Sequence, residues 1–190
     1  MSLAAFDSAL LFRIHGLFSS PLLDRIMVFI TQLGDLGLIW LLLAAVLLLC
    51  PATRRTGACV LLAMALGLMF GNGLLKNLIA RPRPYAADPS ILLLIPPSRE
   101  AFSFPSGHTL HAFAAACSVG LAGHRRLFCF VLPLAALIGF SRIYLMMHYP
   151  PGRCWASAQQ QPPGGCCRCS RRPFSGAAET ENGLDMRIFS

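Results

Sequence analysis

Charge is what this sequence has least of. Charged residues make up only 13% of its 190 positions, against about 25% in ordinary soluble domains. That is too little to surround a globule with water-facing side chains. The apolar share of 55% and a mean hydropathy of +0.61 exclude intrinsic disorder and a charged coiled coil. Lysine is nearly absent: Lys76 is the only one, so the net charge of +8 is an arginine excess. In so apolar a chain that excess excludes a nucleic-acid-binding globule and points to membrane orientation and an anionic head group. No Asp or Glu occurs between Glu100 and Glu179, which leaves few hard metal ligands, or carboxylates to orient a ligating ring, beside His108, His111 and His148. No metal and no cofactor is expected.

What remains is an all-α, polytopic membrane helix bundle. A helix needs about 20 apolar residues to cross the hydrocarbon layer. Four stretches qualify: 36–53, stopped by Pro51; 56–75, with Gly57, Gly67, Gly71 and Gly73; 101–124, entered through Pro105 and Ser106; and 127–150, which tolerates Pro133 and Arg142. A shorter segment, 20–35, makes a fifth span. Ahead of it, Phe6, Leu10, Leu11 and Ile14 predict an amphipathic helix lying in the interface. Phe6, Asp7, Arg13 and His15 break the order of a signal peptide, so the N-terminus is expected to be retained. Arg54–Arg55 and Arg125–Arg126 mark two short cytoplasmic loops. Lys76, Arg81, Arg83 and Arg99 then fall in an outer loop, against the charge rule, which assigns those cations another task.

Three motifs lie on that outer side. The first is KNLIARPRP, residues 76–84; alone, a lysine at a span's end reads as a snorkelling anchor and the prolines as a helix stop. The second is FPSGHTLHAF, residues 104–113, in which Pro105 and Ser106 start a helix whose free amides suit a phosphate, with Gly107 permitting close approach and His108 at the mouth. Alone it also reads as a capped membrane helix. The third is SRIYLMMH, residues 141–148. An arginine at that depth needs a partner, and helical spacing puts Ser141 and His148 on one face.

Together, Lys76–Arg83–Pro84, Pro105–Ser106–Gly107–His108 and Ser141–Arg142–His148 resemble the signature of the type-2 phosphatidic acid phosphatase superfamily of membrane lipid phosphatases. The signature is lysine, six residues, Arg-Pro; then Pro-Ser-Gly-His; then Ser-Arg, five residues, His, three residues, Asp. The likeness covers about residues 5–150, and the small six-span layout is most similar to bacterial undecaprenyl-diphosphatases or phosphatidylglycerophosphatases. It implies metal-independent hydrolysis of a lipid phosphate monoester or diphosphate, in the bacterial cytoplasmic membrane, with the site facing outside. Lys76, Arg83 and Arg142 would hold the phosphate with Ser106 and the Gly107 amide. His148 would be the nucleophile, forming a phosphohistidine, and His108 the general acid. The bilayer and a lipid phosphate are the expected partners. His111 is expected to pack between helices, and His15 and His124 to lie at the interface.

The resemblance breaks after residue 150. The aspartate expected four residues after His148 is Gly152, and no sixth span follows. Reading degenerate codons one nucleotide later from about Pro151 permits Asp at 152 and an apolar continuation. Residues 1–150 are therefore expected to be a membrane phosphatase domain truncated at its C-terminal end, and 151–190 a frameshifted, disordered tail. A catalytically impaired member that binds lipid phosphate without efficient turnover is the alternative. Cys154, Cys166, Cys167 and Cys169 lack a paired C-x-x-C arrangement; Cys50, Cys59, Cys117 and Cys129 are expected to be small apolar packers.

Overall fold

A computed structural model describes residues 3–88, 90–98 and 100–150, with side chains from residue 7. Among them there are helices and no strand. The sixth span, Gly152 and the cysteines beyond 150 lie outside the described residues.

Helix α1 spans Leu3–Phe18 and α2 spans Pro21–Leu33. Ser20 caps α2, its Oγ accepting from the Leu23 amide at 3.3 Å, with Pro21 and Asp24 in the first turn where the free amides and dipole favour them. A 3₁₀ turn, Asp35–Gly37, ends it. Leu36 and Gly37 both take positive φ, +53° and +70°, and helix α3, Leu38–Leu49, leaves at 44° to α2. The two spans expected over 20–35 and 36–53 are thus helices of 13 and 12 residues, each too short to cross alone. Joined, they have the length and apolarity of one bent span.

Helix α4, Arg54–Leu66, continues through a π-helical segment, Gly67–Leu75, into α5, Lys76–Ile79. These form one 26-residue stretch of mean hydropathy 2.0, long enough to cross a membrane. A one-turn helix, α6, follows at Pro84–Ala87. Helix α7, Gly107–Leu121, has only 15 residues, because 101–106 run as a loop that pairs with 81–82 rather than extending the helix. Helix α8, Arg125–Tyr144, is the second full-length apolar helix, of mean hydropathy 1.9. Among the described residues two helices, or three spans with the bent pair, meet the length and composition of a span, which does not confirm the five expected.

Small residues bring the helices together. Ala112, Ala115, Ala116 and Val119 of α7 are fully buried in one cluster with Val131, Ala135 and Ile138 of α8. At the α3–α4 crossing, a β-carbon on Gly57 would sit 2.8 Å from the Ala44 carbonyl oxygen, so only glycine lets the backbones approach this closely. Outward faces carry exposed Leu42, Leu62 and Phe130, as suits helices solvated by lipid. Cys50, Cys59, Cys117 and Cys129 are also exposed; they are surface residues, not the packers expected.

Thr56 Oγ1 and His124 Nε2 lie 2.9 Å apart, which puts both arginine-bearing loops at one end of the bundle. Helix α1 is tied to the rest by the Asp7–Arg81 ion pair at 2.6 Å, both residues buried, and by His15 Nδ1 donating to the Tyr144 carbonyl at 3.1 Å.

Candidate active site

The chain that leaves α5 is turned by local chemistry. Ala80 takes a left-handed conformation, φ +46°, and the prolines on either side of Arg83 hold it extended. Its side chain therefore points inward and is 1% exposed. Every nitrogen of the guanidinium is used. Nε donates to the Glu100 carbonyl at 2.8 Å; Nη1 donates to the Met147 carbonyl at 3.2 Å and to His148 Nε2 at 3.3 Å; Nη2 donates to Ser98 Oγ at 3.0 Å and reaches the Glu100 carboxylate at 3.5 Å. That carboxylate also pairs with Lys76 Nζ. Glu100 is half exposed at its side chain, whereas both cations are buried.

His148 is not on the α8 face that its spacing from Ser141 predicts. The helix stops at Tyr144, Met146 turns through φ +55°, and the amides of Met147 and His148 both donate to the Arg142 carbonyl, at 3.0 and 3.2 Å. The ring is thereby folded back into the protein, while Ser141 Oγ only returns to the Ile138 carbonyl. Since a carbonyl accepts and a guanidinium donates, the ring's tautomer follows from its partners. Nδ1–H donates to the Ser103 carbonyl at 2.5 Å, and Nε2 keeps the lone pair that faces Arg83.

Burial, then the positive charges of Arg142 and Arg83, hold His148 well below the usual imidazole range. An unfolded histidine takes a proton below about pH 6.5; this one does so only at much lower pH. The stability contributed by the neutral ring is therefore complete above pH 6.5 and lost as pH falls below it. Thermal unfolding in detergent should show Tm dropping between pH 7 and pH 5, and a smaller drop for His148→Gln.

Arg142 donates from Nη1 to Thr31 Oγ1 at 2.7 Å, and its buried Nε has no partner among the described residues. It lines a cavity of about 460 Å³ between α7 and α8, together with His148, Ser106 and apolar Phe113, Phe140 and Ile143. Ser106 caps α7, its Oγ accepting from the Thr109 amide at 3.5 Å. A β-carbon on Gly107 would lie 3.1 Å from the Asn72 amide nitrogen. His108 does not line the cavity; its Nε2 pairs with Asp35 Oδ1 at 2.7 Å.

The expected residues thus meet in two groups. Lys76, Arg83 and His148 are joined through Arg83 and Glu100, and Arg142, Ser106 and His148 share the cavity. His108 reaches toward the turn between α2 and α3. Among the described residues no three His, Cys, Asp or Glu side chains cluster as metal ligands, and His111 packs beside Gly37. Glu100, Thr31, Asp35 and the Ser103 carbonyl were not legible as site groups. For Glu100 and Asp35 the only signal is rarity, since residues 1–150 contain five acidic residues in all.

Apolar helices gathering three cations around a buried, neutral histidine define a membrane-type protein with a site for an anion. The chain belongs to the PAP2 superfamily, whose family model matches residues 56–151. It is 35% identical over 138 residues to the undecaprenyl-diphosphatase BcrC of Bacillus subtilis (strain 168), covering 72% of this chain and 69% of that protein. It is 28% identical over 129 residues to an undecaprenyl-diphosphatase of Sulfolobus acidocaldarius, covering 67% of this chain and 61% of the relative's length. Among solved structures it resembles a transmembrane PAP2-type phosphatidylglycerolphosphate phosphatase from Bacillus subtilis, with TM-score 0.59 and 26% identity over 77% of this chain and 75% of that one.

Proposed function

We propose that this chain hydrolyses the phosphate monoester or diphosphate of a membrane lipid, polyprenyl diphosphate being the favoured type, without a metal. The observation that carries the reading is Arg142. Its side chain and that of His148 line the same apolar cavity, and its buried Nε has no partner among the described residues. A phosphate oxygen would satisfy the arginine while the start of the lipid tail occupies the apolar slot between α7 and α8. The undecaprenyl-diphosphatase names of the two relatives support the substrate type.

In this reading Arg83 and Lys76 pass from Glu100 to the substrate phosphate, neutralising charge that would repel a nucleophile. Ser106 and the Gly107 amide bind equatorial oxygens. Nε2 of His148 attacks phosphorus and the bond to the leaving oxygen breaks. His108 supplies that oxygen's proton, and a water then hydrolyses the phosphohistidine. Residues 1–150 form the catalytic domain, α1 lies at the interface, and the site faces away from the cytoplasm, opposite the Arg54–Arg55 and Arg125–Arg126 loops. The test is phosphate release from undecaprenyl diphosphate, phosphatidic acid and phosphatidylglycerophosphate in detergent. Undecaprenyl diphosphate should give the highest kcat/KM; no release from any of the three sinks the proposal.

Gly152 favours a second reading, that of a lipid-phosphate binder with weak turnover, its residues 151–190 translated out of frame. Against it stands the Ser103 carbonyl, which already holds His148 Nδ1 as the aspartate would. Comparing the chain as it stands with one in which the frame is restored separates the two readings. A rate within a few-fold of the restored chain supports the Ser103 carbonyl as the substitute.

A further inference from the structure

Three features of the turn between α2 and α3 converge on His108. Gly34 lies against the ring: a β-carbon there would sit 3.0 Å from His108 Cδ2 and 2.9 Å from Ile138 Cγ2. Leu36, a leucine, is held at φ +53°, and Gly37 at φ +70°, a region L side chains rarely adopt. Between them Asp35 reaches Nε2 of His108 at 2.7 Å. A bend between two apolar helices needs neither a carboxylate nor a strained leucine. Strain of this kind persists where surrounding contacts over-determine it, and it gathers at functional sites.

We infer that Asp35 is the positioning residue of His108, holding the ring through Nε2 so that Nδ1 exchanges the proton with the leaving oxygen. The inference rests on the phosphatase reading above. The charged and titratable groups that act on His108 are Asp35 from the turn, His111 from α7 and Arg142 from α8. Burial and then Arg142 oppose a second proton on the ring, and Asp35 is the carboxylate that favours it. In the first step the doubly protonated ring gives its Nδ1 proton to the oxygen released from phosphorus and keeps Nε2–H on Asp35. In the second, Nδ1 takes a proton from the water that attacks the phosphohistidine, and the phosphorus–nitrogen bond to His148 breaks.

A long-chain alkyl phosphate leaves as a basic alkoxide and needs that proton, whereas p-nitrophenyl phosphate leaves as a stable phenoxide and does not. Asp35→Asn should lower kcat for the alkyl phosphate about 30- to 100-fold at unchanged KM, within the range of acid–base contributions. It should change the pre-steady-state burst of p-nitrophenolate, which reports the first step alone, less than about threefold, and Asp35→Glu should recover part of the loss. Equal losses on both substrates, or none on the alkyl phosphate, overturn the inference. If the unmodified chain cleaves neither, the phosphatase reading has failed, and ¹⁵N spectra of the His108 ring decide the role of Asp35 alone. In the singly protonated ring Nε2 should carry the proton in the native chain and lose that preference in Asp35→Asn; identical ring signals overturn it.

Discussion

His148→Ala should leave phosphate release at least about 10⁴-fold below that of the native chain, the scale on which losing a covalent nucleophile is measured. In the proposed mechanism the substitution removes the attacking lone pair and with it the phosphohistidine. A rapid quench with ³²P-labelled lipid phosphate should trap acid-labile, base-stable label on the native protein and none on the variant. The backbone turn that presents residue 148 is held by two amides on the Arg142 carbonyl, so the fold should survive. Helical circular dichroism should therefore stay close to native, while Tm above pH 7 falls with the loss of the ring's bond to the Ser103 carbonyl. Residual activity within a hundredfold of native would remove His148 from the nucleophile's role.

Arg83→Lys is the second large effect, and it tests geometry rather than charge. The guanidinium joins four partners: Glu100, Met147, His148 and Ser98. An ammonium keeps the charge but has three donors on one atom and cannot span them. The Met147 and Glu100 carbonyls would lose their bonds, each buried loss costing about 1–3 kcal/mol. The variant should lose about 2–6 kcal/mol of stability by that arithmetic, and about 10²- to 10³-fold in kcat/KM, as for removal of one donor to a developing oxyanion. Thermal unfolding and lipid phosphate release measured on one preparation check both. A lysine variant within fivefold of native activity would mean that Arg83 supplies charge alone.

The sequence was legible where the bilayer dictates composition. Uncharged runs marked apolar helices, and three spaced motifs marked the cations and histidines. The span expected over 56–75 falls within the longer apolar stretch 54–79, where Thr56, Gly57, Val60 and Met64 are buried on one face. The bend at Asp35–Gly37 was not legible, since LGDLGLIW offers no proline and leucine is an unexpected occupant of positive φ. Residue 148 lay beyond periodicity for a related reason: Met146 ends the helical register two residues before it. Glu100, Asp35 and Thr31 each meet a site residue 24, 73 or 111 positions away in sequence, and no local pattern carries pairings at such distances.

The doubly accepting carbonyl of Arg142 has a consequence for speed. Arginine and histidine would ordinarily have to be brought into alignment on each encounter, at an entropic cost. Here two backbone hydrogen bonds to one oxygen make Arg142 and His148, the proposed phosphate holder and nucleophile, parts of one unit at the end of α8. An anion seated on Arg142 is by that act set at a fixed height before Nε2. The effective molarity of the proposed nucleophile is thus built into a seven-residue turn of main chain, 142–148. Lengthening that turn by one residue, with every side chain kept, would slow the first chemical step while leaving the affinity for phosphate largely intact.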